Sequence, residues 1–313
     1  MFTPRRRHWI ITVGAILIAA VIAWRLYLSA QGKSEFVFQP QFILAALGFS
    51  LLQKALGPLL IMASLKSISQ TSRYTPLLWI TMFATAANSA VPFPAGIPIR
   101  AVLQKKVLGI PYTVSASGLV IETAIAYGCT VIMCFVTATV WLSPVLKTRI
   151  SVSENTMLMI VTVLGILLSL GLAYLITRRL KGRLIQKIQD VSKQILNARY
   201  DMLGISIGIV GVSYIVSLLR FEMLLKAMGL YIPPGPLLAA MIFSYLAGVI
   251  SFVPMGLGVR DISLGSLLVF LGMPVESAAA AAAIDRILIS SPCLIGGVIA
   301  ASRLRGCGVR GQG

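Results

Sequence analysis

Apolar runs of about 20 residues recur along the chain, and they limit the class of fold that it can adopt. Twenty residues of α-helix span the hydrocarbon core of a bilayer, which is about 30 Å thick. Of the 313 residues, 58% are hydrophobic and only 12% are charged, whereas soluble domains carry about 25% charged residues. We therefore expect a single integral membrane domain over 1–313, folded as an all-α polytopic helical bundle, and exclude a water-soluble enzyme. The uninterrupted runs cover 9–23, 41–63, 112–141, 155–177, 202–229 and 275–301.

Two further runs, 75–107 and 234–273, are each interrupted by a segment rich in proline and glycine. Proline removes a backbone donor and clashes with the preceding turn, so a helix is expected to end at each break. Backbone freed in this way is tolerated at membrane depth only inside protein or beside a wet cavity. The breaks therefore predict two re-entrant helical hairpins, each entering halfway and returning to the same side. The residues expected at the bends are Pro92, Pro94 and Gly96 in the first hairpin and Pro254, Gly256 and Gly258 in the second.

Basic residues lie mostly on one side of the membrane in this predicted topology. If both hairpins return to the side from which they enter, most basic residues of the connecting segments lie on one side of the membrane, and only Lys33, Lys147 and Arg149 lie on the other. The positive-inside rule requires such an excess on the cytoplasmic side. We therefore expect a multi-pass protein of the bacterial inner membrane with both termini cytoplasmic. The segment 178–200 is expected to be a cytoplasmic connector, either an amphipathic helix on the leaflet surface or a solvated link. Topology thus explains the net charge of +18, and nucleic acid is not expected as a partner.

The two broken runs resemble each other in sequence. VPFPAGIPIR, which ends at Arg100, is followed by LGIP and then Glu122, and VPMGLGVR, which ends at Arg260, is followed by LGMP and then Asp285. In the predicted topology the first hairpin enters from the cytoplasm and the second from outside. The repeat-like halves, about 75–141 and 234–301, are therefore expected to be inverted, an arrangement typical of transporters whose site lies between the repeats.

Six charged residues are expected at membrane depth, where each costs about 2.5–3.5 kcal/mol on insertion scales and needs a partner or water. In one interpretation they line a cavity in which arginines bind a lipid phosphate and carboxylates hold an amine, proton or ion. In the other, Arg100 pairs with Glu122 and Arg260 with Asp285 to fix the hairpins. Arg220, in the run 202–229, is a further candidate for head-group contact. The six residues are Arg100, Glu122, Arg260, Asp261, Asp285 and Arg286.

The sequence offers few groups suited to catalysis or to a metal. Its one histidine, His8, lies in the basic N-terminal tip, the four cysteines show no CxxC spacing, and no GxxxxGK[ST] motif occurs. We therefore expect no metal and no cofactor. The energy for transport by this sequence would come from a gradient or from consumption of the transported molecule by metabolism, since no nucleotide-binding motif is present. Two alternatives stay open: an integral membrane enzyme with a carboxylate base, and a non-transporting scaffold of a lipid-linked pathway.

The two motif blocks, about 91–122 and 253–297, resemble the flippase-like membrane domain of lysylphosphatidylglycerol synthases and their free-standing relatives. The residues that carry the resemblance are GIPIR ending at Arg100, the LGIP turn, Glu122, PMGLGVRD ending at Asp261, the LGMP turn, Asp285 and Arg286.

This resemblance implies that the protein moves a polar-headed membrane lipid between leaflets within an aminoacyl-phospholipid, glycolipid or hopanoid pathway. Lipid-biosynthesis enzymes are the implied partners, and a homo-oligomer stays open. It does not imply lysine transfer, which a separate soluble domain carries out in the fused proteins, whereas this chain ends at Gly313 after a short basic tail. We therefore do not expect an enzyme.

Overall fold

A computed structural model of the chain describes residues 39–90, 95–142, 198–251, 256 and 258–308. These residues form eight α-helices and contain no strand, which confirms the all-α prediction. A π-helical turn, Ala138–Leu142, continues α4. The helices are α1 (Pro40–Ser67), α2 (Tyr74–Ala90), α3 (Gly96–Leu108), α4 (Tyr112–Thr137), α5 (Tyr200–Ala227), α6 (Pro234–Ile250), α7 (Val259–Phe270) and α8 (Val275–Gly308).

Four helices of the described part are long and apolar enough to cross a bilayer, namely α1, α4 with its π turn, α5 and α8. The other four are short and come in pairs, α2 with α3 and α6 with α7, where the sequence has its two broken runs. Helix α2 ends before the first Pro/Gly-rich segment and α6 ends before the second, as the prolines predict. The prediction that these pairs are re-entrant stays a prediction.

The glycines expected at the bends differ in their backbone geometry. Gly256 and Gly258 have φ values of 61° and 80°, in the left-handed region that favours glycine. Gly96 instead begins helix α3. The predicted bend residues Pro92, Pro94 and Pro254 lie outside the described residues, as do the apolar runs 9–23 and 155–177 and the connector from 178 to 197.

The eight helices form two successive sets of four with closely matching lengths. Helices α1 to α4 contain 28, 17, 13 and 26 residues, and helices α5 to α8 contain 28, 17, 12 and 34. The turns match as well, because Ser69 after α1 and Gly229 after α5 have φ values of 62° and 67°. The likeness of the two sets therefore extends to a long helix before each pair of short helices, α1 and α5, which the sequence comparison of the two broken runs did not include.

Helices α1 and α5 are antiparallel, and their ends are joined by two equivalent hydrogen bonds. The backbone N–H of Gln39, before α1, donates to the carbonyl of Ala227 at the end of α5, with an N···O distance of 3.1 Å. The N–H of Arg199, before α5, donates to the carbonyl of Ser67 at the end of α1, at 2.9 Å. If the first half of the structure is exchanged with the second, each of these hydrogen bonds takes the position of the other. The contact between α1 and α5 is also the most extensive between any two helices described.

The other helix contacts repeat under the same exchange. Helix α2 packs against α8 as α6 packs against α4, and α2 packs against α3 as α6 packs against α7. Antiparallel equivalent helices with exchanged contacts are the geometry that inverted-topology repeats have. This geometry agrees with the predicted opposite orientation of the two halves in the bilayer, which stays a prediction.

The apolar core is larger in the second half than under the first hairpin. The larger cluster joins α1, α5, α6, α7 and α8 around residues such as Phe221, Leu237 and Leu268. The smaller cluster lies where α1 and α2 meet the turn before α4 and includes Leu65, Leu77 and Ile110. These clusters hold the hairpins against the long helices and so fix the positions of the charged residues that the hairpins carry.

Candidate functional site

In the first hairpin, Arg100 of α3 forms a two-point ion pair with Glu122 of α4. The guanidinium Nη1 donates to Oε1 at 3.1 Å, and Nη2 donates to Oε2. This fork is the strongest geometry for an arginine–carboxylate pair. Both side chains are largely buried. Eight residues separate Arg100 from the end of α3 and ten separate Glu122 from the start of α4, which puts the pair about 12–15 Å from the α3–α4 turn.

In the second half, the carboxylate of Asp285 on α8 accepts from two arginines on different helices. Arg220 of α5 donates through Nη1 to Oδ1, and Arg260 of α7 donates through Nη2 to Oδ2 at 3.3 Å. The side chains of Arg220 and Asp285 are 1% and 3% exposed, whereas that of Arg260 is 18% exposed. Ten residues separate Asp285 from the start of α8, so this Asp285 cluster also lies about 15 Å from its hairpin turn.

The Asp285 cluster carries more positive than negative charge. Two guanidinium groups face one carboxylate, and the Nε atoms of Arg220 and Arg260 have no hydrogen-bond partner within the described part of the chain. The nearby pair of Arg286 and Asp261, with 3.9 Å between Nη1 and Oδ1, is neutral by itself. An uncompensated charge inside a protein is costly. Arg260 is the more accessible of the cluster's two arginines, and a guanidinium can form hydrogen bonds to an anion.

The position of Arg260 depends on a close approach between helix α6 and the turn before α7. A Cβ placed on Gly256 would lie 3.0 Å from the Cα of Gly248 and 3.2 Å from the Cβ of Arg260. Only glycine permits that contact at Gly256, which also has a positive φ. The first hairpin has a related contact, since a Cβ on Gly96 would lie 2.8 Å from the carbonyl oxygen of Ala84.

Tyrosines lie between the two ion-pair groups. Tyr245 of α6 is close enough to interact electrostatically with Glu122 of the first group and with Arg260 of the second. Its side chain neighbours Tyr127 and Tyr214, and it is 39% exposed, so open space adjoins it. Tyr245 is therefore a neighbour that the two ion-pair groups share.

The sequence model described as "Lysylphosphatidylglycerol synthase TM region" matches residues 11–297. The chain belongs to this family. The match takes in both hairpins and the long helices α1 and α5, and so confirms the resemblance seen in the two motif blocks. Together with the four helices of spanning length, it identifies a multi-pass membrane protein. No match to an individual curated protein was found.

In this member of the lysylphosphatidylglycerol synthase TM family, all seven charged residues singled out from the sequence form ion pairs. The pairs of Arg100 with Glu122 and of Arg260 with Asp285 are those of the second interpretation of the sequence. The pair of Arg220 with Asp285 was not foreseen, because the two residues lie 65 positions apart in different apolar runs. Tyr245 was also missed, since a tyrosine inside an apolar run has nothing in its spacing that marks it. Within the described ranges, no group of three or more His, Cys, Asp or Glu residues could hold a metal ion.

Proposed function

We propose that this protein moves a lipid with a phosphate-containing head group between the two leaflets of the bacterial inner membrane. The observation that carries the proposal is the Asp285 cluster, in which two arginines share one carboxylate that lies ten residues from the start of α8. Guanidinium groups bind phosphate through parallel hydrogen bonds. A phosphate would remove the excess positive charge of the cluster and give its unpartnered N–H groups an acceptor.

The two arginines of the cluster suit different tasks in this proposal. Arg220 is enclosed, so it stays with Asp285 and keeps the carboxylate paired. Arg260 is more accessible and holds Asp285 through a longer contact, so it is the group that a head group reaches. When a phosphate draws Arg260 away, Asp285 is not left as an unpaired buried charge. This division lowers the cost of exchanging an internal ion pair for a ligand contact.

The first hairpin offers a second position on the path. Arg100 and Glu122 form a closed, neutral pair, which gives a phosphate less attraction than the Asp285 cluster does. An amine-bearing head group would bring its own cation to Glu122 and its phosphate to an arginine. Tyr245 lies between the two groups and has a hydroxyl that can donate or accept.

The arrangement of the halves supports alternating exposure of this region. Exchanged contacts between α1 and α5 allow one half to rock against the other, as in transporters with inverted repeats. In this proposal both termini lie in the cytoplasm, which the basic residues of the connecting segments favour. The proposal involves no bond cleavage, and therefore assigns no catalytic role to the carboxylates. It includes enzymes of lipid biosynthesis as partners that supply or consume the lipid.

A reconstituted system tests the proposal directly. The purified protein is placed in liposomes with fluorescent phosphatidylglycerol, and dithionite reports how much of the lipid reaches the outer leaflet. We expect Arg260→Gln to slow exchange at least about ten-fold, since one charge-assisted hydrogen bond contributes roughly 1.5–3 kcal/mol. Arg199→Gln is the matched control, because Arg199 forms an exposed pair with Asp201 at the start of α5. Folded, inserted Arg260→Gln protein that exchanges lipid at the wild-type rate would refute the proposal.

A further inference from the structure

Lys54 is a charged residue on the inward face of helix α1, close to the middle of its length. It lies 14 residues after Pro40 and 13 before Ser67, so about 20 Å of helix extends from it in each direction. The residues four positions away on the same face, Ser50 and Pro58, are both buried. Lys54 itself is half-buried. A charge at this depth is costly, and it therefore marks a candidate for function.

The ammonium of Lys54 has no hydrogen-bond or ion-pair partner within the described ranges. It is also not one of the enclosed polar atoms, whereas the partnerless Nε atoms of Arg220 and Arg260 are. Open space therefore adjoins the ammonium, and a ligand can reach it. Its counter-charge has to come from a group other than the described residues.

The face of α1 that carries Lys54 contacts both apolar clusters, one on each side of this residue. Leu47, seven residues before Lys54, packs against the larger cluster of the second half. Ile61, seven residues after it, belongs to the smaller cluster under the first hairpin. Positions seven apart share a helix face. Lys54 therefore lies between the surfaces on which the two hairpins pack.

The middle of the α1–α5 contact is also the place where the two halves are related to each other. Counted from the two hydrogen bonds that join the helix ends, Gln53 lies level with Ser213. Counted from the turns at Ser69 and Gly229, the same two residues are equivalent positions. Equivalent residues lie level only where the pseudo-two-fold axis of the repeats crosses the contact. Lys54 is therefore one residue from this axis.

A point on such an axis is equally far from equivalent groups of the two halves. Glu122 and Asp285 are equivalent groups, because each lies ten residues from the start of its helix. Lys54 is therefore about equally far from the pair of Arg100 with Glu122 and from the Asp285 cluster. Substrate sites of transporters with inverted repeats lie at this kind of position, near the midplane and between the repeats.

The second half shows that the fold does not need a cation at this position. The residue equivalent to Lys54 is Tyr214, whose hydroxyl shares a hydrogen bond with the hydroxyl of Thr130 on α4. That side chain is neutral and has a partner, and helices α1 and α5 nevertheless form matching contacts at their two ends. The charge of Lys54 therefore indicates a role other than folding.

We propose that Lys54 binds the phosphate of a lipid head group midway between the two ion-pair groups, and so selects lipids with a net negative head group. The inference rests on the proposed movement of lipid and adds its substrate class. The Asp285 cluster has one cation more than its carboxylate balances, and Lys54 adds a second. Both cations attract an anionic head group and repel the amine of a zwitterionic or cationic one.

The selectivity of exchange tests this inference with the full chain in liposomes. Dithionite follows fluorescent phosphatidylglycerol, which is anionic, or fluorescent phosphatidylcholine, which is zwitterionic. We expect the wild type to exchange phosphatidylglycerol at least about ten-fold faster. Lys54→Gln should remove most of this preference by slowing phosphatidylglycerol alone, since one hydrogen bond to a charged group changes an equilibrium about ten-fold or more. Lys54→Arg keeps the positive charge and should retain the preference.

Two further variants separate loss of the charge from loss of the fold. Lys66→Gln is the matched control, because Lys66 is an exposed lysine in the last turn of the same helix, and it should change neither rate. Lys54→Tyr installs the residue type of the second half, and it should remove the preference as Lys54→Gln does. Neither substitution at position 54 leaves a described group without its partner, so both variants should fold.

A binding measurement distinguishes failure of this inference from failure of the proposed function. The protein is placed in nanodiscs that contain phosphatidylglycerol with a diazirine in its head group, and mass spectrometry locates the label after photolysis. We expect label on α1 around position 54, reduced several-fold in Lys54→Gln. Such labelling in a wild-type protein that exchanges no lipid would contradict the proposed function and leave Lys54 as a head-group site.

Three results would overturn the inference. The first is a wild type without label around position 54, whatever its rate of exchange. The second is a Lys54→Gln protein with the labelling and the lipid preference of the wild type. The third is labelling that inorganic phosphate prevents and unlabelled phosphatidylglycerol does not, since that result indicates a site for a free anion.

Discussion

Neutralising Asp285 is the sharpest perturbation of the Asp285 cluster, because its carboxylate contacts both Arg220 and Arg260. Asp285→Asn keeps the shape of the side chain and leaves two guanidinium groups without their counter-charge. Removing one partner of a buried ion pair costs about 3–5 kcal/mol. Arg260→Gln removes the excess cation and leaves the enclosed pair of Arg220 with Asp285 intact. We expect it to cost at most roughly 1.5–3 kcal/mol, the contribution of one charge-assisted hydrogen bond, and less than Asp285→Asn because removing the excess cation offsets part of that loss.

The double variant gives the decisive comparison. Arg260→Gln in the Asp285→Asn background removes one of two repelling cations, so it should raise the stability of that variant, with a coupling energy within about 0.5–3 kcal/mol. The free energy of unfolding is measured for all four proteins by steric trapping in the same detergent or bicelle. Equal losses for the two single variants, or strictly additive losses in the double variant, would show that the three residues do not form one electrostatic unit.

Two further predictions concern packing and topology. Gly248→Ala would put a Cβ 3.1 Å from the Cβ of Arg260, so we expect overpacking to lower the free energy of unfolding by about 1–3 kcal/mol and to slow lipid exchange. Gly204→Ala is the control, because a Cβ there meets nothing within 4 Å, and it should change neither quantity. Lys106 and Lys226 are exposed and lie in the last turns of α3 and α5, and the predicted topology puts them on opposite sides of the membrane. An impermeant maleimide should label Lys226→Cys from outside the cell and Lys106→Cys only after permeabilisation. Labelling of both from one side would refute the inverted arrangement.

The helices were predictable because apolar run length and proline act locally. The long runs became α1, α4, α5 and α8, and the interrupted runs became two pairs of short helices. The pairing of Arg100 with Glu122 was also predictable from the sequence, because the LGIP turn brings the two helices side by side. The distance of each residue from that turn follows from counting residues along its helix.

The remaining features depend on how helices rotate and pack, which one sequence does not determine. Arg220 was assigned to a helix but not to a partner, because the face it presents to Asp285 is set by contacts among α5, α7 and α8. The equivalence of α1 and α5 was hidden since few residues of the two helices are alike.

The matched hydrogen bonds from Gln39 to Ala227 and from Arg199 to Ser67 have an implication for motion. Because exchanging the two halves turns each of these hydrogen bonds into the other, the α1–α5 contact is equivalent for both halves. We therefore expect the contact to be equally stable whichever of the two hairpins has the two-point ion pair. In the proposed transport cycle, exchange of the two hairpin conformations would give a second state, in which the first hairpin has the longer carboxylate contact and the second has the two-point ion pair. The halves would rock against each other across the α1–α5 contact between the two states, and that contact would be equivalent before and after the exchange.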